Sequence, residues 1–364
     1  MQRGSKVYKY LRPLSWVYGT GVWIRNKFFD MNILRSEEFV VPLISIGNLS
    51  VGGTGKTPHT EYLIRLLQRD YRVAVLSRGY KRKSSGFVLA NNQATSERIG
   101  DESYQLYRKF PKILVAVDHD RRRGIRKLLS IPKEIRPEVI LLDDAYQHRY
   151  IKPSLSILLT EFNRPFFKDT LLPAGRLREP ANNKNRADIV VVTKSPSSLN
   201  NEVVFQLSKE LDLNPNQKLF ISSFKYSLLQ AVFPDLSGLD REEKIPDSVL
   251  LFAGIASPLP LIDYLKQSIP NLAIKLFPDH YSYTRSDFDQ LLSLFNKGKD
   301  QKKILITTEK DAVKLVDRSD FPKELKKHTF YLPIEVVFHS TKKEIFNQII
   351  KDHVATIRRN RKLA

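Results

Sequence analysis

The stretch Phe39-Val40-Val41-Pro42-Leu43-Ile44-Ser45-Ile46-Gly47-Asn48-Leu49-Ser50-Val51-Gly52-Gly53-Thr54-Gly55-Lys56-Thr57-Pro58 decides the fold. Phe39 to Ile44 reads as a buried strand, and Glu61 to Leu67 has the apolar spacing of a helix. A strand, a glycine-rich turn, a Lys-Thr pair and a helix, in that order, form the layout of a phosphate-binding loop. Glycines let backbone N–H groups converge on phosphate oxygens with no Cβ in the way. The helix N-terminus adds a partial positive charge. Ser50, Val51, Gly52, Gly53, Thr54, Gly55, Lys56 and Thr57 are therefore the candidate nucleotide-binding residues. Lys56 is expected to reach the β- and γ-phosphates, and the Thr57 hydroxyl to ligate Mg²⁺. The strict pattern has glycine where Ser50 stands, and the pair Gly52-Gly53 moves the flexible point towards the lysine. The loop alone names neither the nucleotide nor the fate of its γ-phosphate.

Outward from this loop, apolar strands alternate with helices. Arg72–Ser77, Lys112–Val117, Glu138–Leu142, Leu155–Thr160 and Asp188–Thr193 read as strands; Asp101–Lys109 and Arg121–Ser130 read as helices. Continuous apolar strands separated by helices predict a parallel, doubly wound α/β sheet. A second alternation starts at Val249 and predicts a smaller α/β unit. The expected organisation is an N-terminal amphipathic helical segment (1–38), a phosphate-loop domain (39–225), a charged connection (226–247) and a second domain (248–364) that closes over the first. The basic end, Ile357 to Lys362, reads as a frayed tail.

At 364 residues the chain is long for a single core, which agrees with two domains. It has no cysteine, so disulfides and thiolate metal sites are excluded. Lys plus Arg number 60 against 39 Asp plus Glu, a net charge of +21. That excess suits a polyanionic partner: nucleic acid, an anionic membrane face or a phosphorylated substrate. The sequence carries no aromatic-interleaved basic groove, which argues against nucleic acid. No segment has the ~18 uncharged apolar residues that span a bilayer, and no signal-peptide cleavage pattern is evident. A membrane role is then expected to be peripheral. Residues 1–38 suit such a role, with Arg3, Lys6, Lys9 and Arg12 beside an uncharged run, Pro13 to Ile24, that holds Trp16 and Trp23. The same spacing equally suits a helix packed on the catalytic domain.

Several short constellations carry chemistry. The strand that ends in Asp143-Asp144 has the form of the acidic partner to a phosphate loop, where a carboxylate holds Mg²⁺. Gln147 and His148 follow closely, and with Arg121 and Arg122 they are candidates for substrate or phosphate contact. Gly100-Asp101-Glu102 opens a helix, where Asp101 is either a cap or a residue facing the γ-phosphate. Arg176, Arg178 and Glu179 lie on a turn between strands, a place from which arginine stabilises a transferring phosphoryl group or grips a substrate phosphate. Asp279-His280 in the second unit is either a turn or a source of a base.

Taken in order, these motifs resemble the tetraacyldisaccharide 4′-kinases of lipid A synthesis. The resemblance rests on the loop Gly47 to Pro58, Gly100-Asp101-Glu102, Asp143-Asp144-Ala145-Tyr146-Gln147-His148, Leu172 to Glu179, Ala253-Gly254-Ile255, Asp279-His280 and Thr308-Glu309-Lys310-Asp311. The family has a hydroxyl residue at the position of Ser50. Two departures are visible: the family's Asp-Asp-Gly-Phe-Gln-His is Asp-Asp-Ala-Tyr-Gln-His here, and Ser103 replaces the proline of Gly-Asp-Glu-Pro. Both keep the polar groups. The resemblance implies an ATP- and Mg²⁺-dependent transfer of phosphate to the 4′-hydroxyl of tetraacyldisaccharide 1-phosphate. It also implies work at the cytoplasmic face of the inner membrane of a Gram-negative bacterium. Thr57 with Asp143 or Asp144 would hold Mg²⁺. Asp101 would be the base, paired with His280 from the second domain once the domains close, and the imidazole would store the hydroxyl proton. Lys56, Arg178 and Glu179 complete the implied catalytic set. A different phosphate-loop small-molecule kinase or a GTPase is the alternative reading.

Overall fold

In the computed structural model the described residues are 8–236, 248–297, 303–339 and 342–363. Arg3, Lys6 and half of the expected connection (237–247) lie outside them. The strands are β1 Leu43–Asn48, β2 Val73–Ser77, β3 Val88–Leu89, β4 Leu114–Val117, β5 Val139–Asp143, β6 Leu155–Glu161 and β7 Ile189–Thr193. They continue as β8 Lys218–Tyr226, β9 Gln230–Ala231, β10 Ser248–Ala253, β11 Asn271–Leu276, β12 Lys303–Thr308, β13 Thr329–Leu332 and β14 Ile334–Phe338.

Two compact units result. The first comprises Met1–Ala94, Leu106–Lys225 and Glu335–Ala364; the second comprises Thr95–Gln105 and Tyr226–Ile334. The first unit holds a nine-stranded sheet in the order β14-β8-β7-β6-β1-β5-β2-β4-β3. β1 sits between β5 and β6, parallel to both. Every residue of β1, β2, β5 and β7 is buried, which explains why these segments read as unbroken apolar runs. Helices cover both faces. Leu63, Ile64 and Leu67 from the phosphate-loop helix Lys56–Leu67 pack with Ile44, Val75, Leu141 and Val191 in one core layer. Ile125 and Leu128 pack with Leu43, Leu76 and Leu142 in the opposite one. The order reverses at β1, so the loop after β1 opens at the switch point of a doubly wound sheet, the place where such folds bind ligands.

The second unit is a five-stranded sheet, β11-β10-β12-β13-β9, parallel except for β9 against β13. Its core joins Phe252, Phe288, Leu305, Leu315 and Phe321.

The architecture is the expected α/β one, with three corrections to the domain boundaries and ends. First, Thr95–Gln105 belongs to the second unit although it lies far from it in sequence. Second, the chain returns to the first unit at Glu335: β14 joins the large sheet, and Phe346, Ile350 and Val354 of the helix Lys342–Leu363 are buried in its core. Third, the basic end is therefore helical through Leu363, because its preceding turns are anchored by that apolar stripe.

The helix Arg12–Asp30 packs on the first unit along part of its surface. Ser15, Asn26 and Phe29 are buried. The Ser15 hydroxyl donates to the Leu171 carbonyl at 3.0 Å and accepts from the Ala174 amide at 3.0 Å. Tyr10, Leu14, Trp16, Val17 and Trp23 remain exposed on the same helix and its approach, Trp16 by 75%.

Candidate active site

The phosphate loop of the first unit is built by its own sequence. Gly52 and Gly55 have φ of 108° and 90°, in the left-handed region that glycine takes without a Cβ penalty. Gly55 ends the loop, and a Cβ there would stand 2.6 Å from the Phe224 ring. The helix then starts at Lys56. Asn48, fully buried at the end of β1, donates to the Thr54 hydroxyl at 2.8 Å, and the Thr193 hydroxyl donates to the Thr54 carbonyl at 2.8 Å. The Val51 amide donates to the Arg176 carbonyl at 2.8 Å, and Arg176 returns a bond to the Val51 carbonyl at 2.7 Å. The loop is thus braced from β1, from β7 and from the turn that carries Arg176.

Around it the charged residues converge. The Lys56 ammonium lies 3.5 Å from Asp144 Oδ1 and 3.5 Å from Asn48 Oδ1. Arg178 Nη1 reaches both Asp144 oxygens at 3.3 Å and Gln147 Oε1 at 3.2 Å. Gln147 Nε2 donates to the Asn48 carbonyl at 2.7 Å. The Thr60 hydroxyl, one turn beyond Lys56, donates to Asp143 Oδ1 at 3.0 Å. Asp144 has φ of 47°, a strained conformation that turns the chain directly after β5. Burial pushes the Asp144 carboxyl up, but Lys56, Arg178 and Arg121 outweigh it and hold the group below its ordinary value. The carboxylate stays ionised, flanked by two cations at the mouth of the loop.

The remaining residues singled out from sequence divide into contact and support. Arg121 is 4% exposed, donates to the Asp144 carbonyl at 3.3 Å, and is brought down to about 10 by burial. His148 is held down to about 4 by burial and by the neighbouring Arg121 charge, so it is neutral at pH 7. Arg122 instead forms two bonds to Asp120, at 3.1 and 3.0 Å, and lies over the Tyr150 ring. Gln147 spans Asn48 and Arg178 with its two ends, so it supports the loop. Glu179 is buried and paired with Arg25 at 2.9 Å, with Asn183 at 3.0 Å and with Arg186. Sequence reading did not single out Asn48, Thr60 or Arg25. Asn48 lay inside the quoted loop, while Arg25 had no signal beyond its positive charge. The departure at Tyr146 has a local account: its hydroxyl donates to the Asn183 carbonyl at 2.6 Å, a bond phenylalanine lacks.

Mg²⁺ takes one or two carboxylates together with substrate phosphates and water, so a set of three acidic ligands is not required of the protein. Among the described residues no such set of three exists. The oxygen donors present fit that pattern: Thr57 at the start of the helix and Asp143 and Asp144 at the end of β5.

The second unit assembles its own cluster. Asp101 is the first residue of the helix Asp101–Lys109, and its Oδ2 lies 3.8 Å from His280 Nδ1. The expectation that this pair forms by closure of two domains is corrected here, because both residues belong to the second unit. Lys314 Nζ stands 3.7 Å from Asp101 Oδ2 and 3.2 Å from Asp311 Oδ1. Asp311 is fully buried; it accepts from the Gly254 amide at 2.8 Å and from the Thr308 hydroxyl at 2.7 Å. Lys310 Nζ reaches His280 Nε2 at 3.0 Å and Asp279 Oδ1 at 3.3 Å. Burial pushes the Asp101 carboxyl up, and the His280 hydrogen bond with Lys314 and Lys310 brings it net below the ordinary value. The short motifs at 101, 254, 280 and 308–311, scattered in sequence, are one cluster in space. Lys314 was the member missed; its spacing of four from Lys310 places it on the same face of the helix Glu309–Val316.

Residues 7–355 match the family described as tetraacyldisaccharide-1-P 4′-kinase. The chain belongs to that family. The tetraacyldisaccharide 4′-kinase of Bacteroides thetaiotaomicron is 50% identical over 363 residues, covering 98% of this chain and 95% of the relative. That of Flavobacterium johnsoniae is 46% identical over 336 residues, covering 91% of this chain and 92% of the relative. Among solved structures, LpxK from Aquifex aeolicus in complex with ATP superposes with a TM-score of 0.71 at 31% identity, covering 95% of this chain and 99% of that one. The fold and the kinase class follow for a member of this family. Among the described residues no helix is long and apolar enough to cross a membrane.

Proposed function

We propose that this chain transfers the γ-phosphate of ATP to the 4′-hydroxyl of tetraacyldisaccharide 1-phosphate, as an ATP-dependent lipid kinase of lipid A biosynthesis. The observation that carries the reading is the Lys56–Asp144–Arg178 constellation at the mouth of a glycine loop, in a chain whose family acts on that lipid.

Lys56 and the loop amides hold the β- and γ-phosphates. Arg178, kept in place by Asp144 and Gln147, is available to the transferring phosphoryl group, where a fixed guanidinium offsets developing charge. Thr57 with Asp143 or Asp144 would hold Mg²⁺, which when bound neutralises charge on the β- and γ-oxygens. Asp101, ionised and paired with His280, takes the proton of the acceptor hydroxyl. The freed oxygen pair forms the new P–O bond, and the bond between the γ-phosphorus and the bridging oxygen breaks with its electrons left on ADP. The exposed aromatic face of Arg12–Asp30, with Lys27 over Trp23, is suited to the interface of a membrane that holds the acceptor. We place the enzyme as a peripheral protein on the cytoplasmic side of the inner membrane.

The test is phosphoryl transfer from labelled ATP to tetraacyldisaccharide 1-phosphate in mixed micelles. Labelled lipid with the wild type, lost in Lys56→Ala and Asp101→Ala, supports the reading. ATP binding with no labelled lipid overturns it.

A further inference from the structure

Lys310 touches His280 on the side away from Asp101. The Lys310 ammonium lies 3.0 Å from His280 Nε2, and the Asp101 carboxylate lies 3.8 Å from His280 Nδ1. An ammonium has three donors and no acceptor. A bond at that distance therefore requires Nε2 to present its lone pair, and the single proton of a neutral imidazole must then sit on Nδ1. The opposite tautomer would set an N–H against an ammonium. Asp279 Oδ1, 3.3 Å from Lys310 Nζ, holds the ammonium in place beside the ring. His280 itself stands in a turn with φ of 56°, in the left-handed region.

We propose that Lys310 is a positioning residue that fixes His280 as the Nδ1–H tautomer, so that the Asp101 carboxylate, and not the imidazole, is the final acceptor of the substrate proton. The second half rests on the reading of Asp101 as the base. Among the described residues, charged groups that face this pair come from three elements: Asp101 on its helix, Asp279 in the turn of His280 itself, and Lys310 and Lys314 on the helix Glu309–Val316. Asp311 anchors Lys314 from the same helix. Three carboxylates against two ammonium groups leave the cluster with one formal negative charge while His280 is neutral. One proton taken from the acceptor hydroxyl cancels it. Within the cluster, Nε2 is blocked by Lys310 and Nδ1 already carries hydrogen, so the imidazole has no vacant position for that proton. The Asp101 carboxylate has one, and its Oδ2 lies 3.8 Å from His280 Nδ1 on one side and 3.7 Å from the Lys314 ammonium on the other. This replaces the expectation that the imidazole stores the proton.

The experiment is long-range ¹H–¹⁵N correlation spectroscopy on the full chain labelled at histidine, with His280 assigned by its loss in His280→Gln. The wild type is expected to show a protonated Nδ1 and an unprotonated Nε2 near pH 8. Wild-type signals of the Nε2–H tautomer overturn the proposal without any variant. In Lys310→Met the ring is expected to shift towards Nε2–H and kcat to fall about 10- to 100-fold with the KM for ATP unchanged, as for loss of a partner that orients a catalytic imidazole. Lys310→Arg, still donor-only, is expected to keep the tautomer and most of kcat. Unchanged kcat in Lys310→Met overturns the catalytic half. Asp101→Asn with undiminished lipid phosphorylation would instead sink the assignment of the base, and the tautomer result would stand apart from it.

Discussion

Glu179→Ala separates anchoring from chemistry in the Leu177-Arg178-Glu179 turn. The Glu179 side chain is 1% exposed, and its two oxygens are taken by Arg25 at 2.9 Å, by Asn183 at 3.0 Å and by Arg186. Removing one partner of a buried ion pair costs about 3–5 kcal/mol, mostly because the other charge is stranded. Here the stranded charges retain water: the Arg25 and Arg186 side chains are 41% and 25% exposed. The loss should fall at the low end, about 3 kcal/mol, which for a unit of this size lowers Tm by roughly 6–12 °C. Glu179→Gln keeps the shape and one acceptor oxygen and should lose about half as much. Turnover should fall in proportion to the disorder passed to Arg178, whose backbone is tied on both sides: its amide donates to Leu49 and its carbonyl accepts from Tyr18 at 2.9 Å. Calorimetry alongside the micelle assay measures both. An unchanged Tm in Glu179→Ala refutes the anchoring argument. An unchanged Tm with turnover abolished in both variants would show that Glu179 acts on the reacting groups itself.

Three further outcomes are expected. Lys56→Ala should lower kcat by about 10²–10³ with the fold intact, measured with labelled ATP and by thermal melting, since it removes one fixed charge from the transferring phosphate. Asp101 must be ionised to act and its folded value is depressed, so activity is present above the ordinary carboxylate range and is lost only as pH falls through that lower value. Lys314→Met removes one lowering charge and should move the acid limb of the kcat/KM profile upward; a limb that stays in place contradicts the cluster's electrostatics. Replacing Trp16 and Trp23 with serine should weaken sedimentation with anionic vesicles while leaving ATP affinity unchanged; equal binding of the variant would argue against the helix as the membrane contact.

The legible parts of the sequence were those in which local pattern and tertiary position agree. Val139 to Leu142 is buried on both faces, so its apolar run needed no partner to be read as a parallel strand. The glycine loop declared itself because its backbone demands are met at particular positions, with Gly52 and Gly55 at positive φ. The illegible parts depend on distant partners. β14 is a short strand with alternating exposure, and only its neighbour β8, more than 100 residues earlier, makes it part of the large sheet. The helix Lys342–Leu363 carries a basic surface that masks the stripe Phe346, Ile350 and Val354. The membership of Asp101 in the second unit was equally hidden, because eleven residues, Thr95–Gln105, leave one unit and return within a single excursion of the chain.

That excursion has a consequence for how the two halves of the chemistry respond to change. The phosphate loop and its partners Asp144, Arg178 and Arg121 are all carried by the first unit; Asp101, His280, Lys310 and Lys314 are all carried by the second. The contacts described above within each constellation are made by residues of its own unit. ATP affinity should therefore survive Asp101→Asn, His280→Gln and Lys310→Met, while Lys56→Ala should leave the His280 tautomer signal untouched. Isothermal titration with ATP and the histidine spectrum, run on the same four variants, read the two constellations independently. If Lys56→Ala shifts the His280 resonances in the absence of nucleotide, the two are coupled within the resting protein and the separation drawn here is wrong.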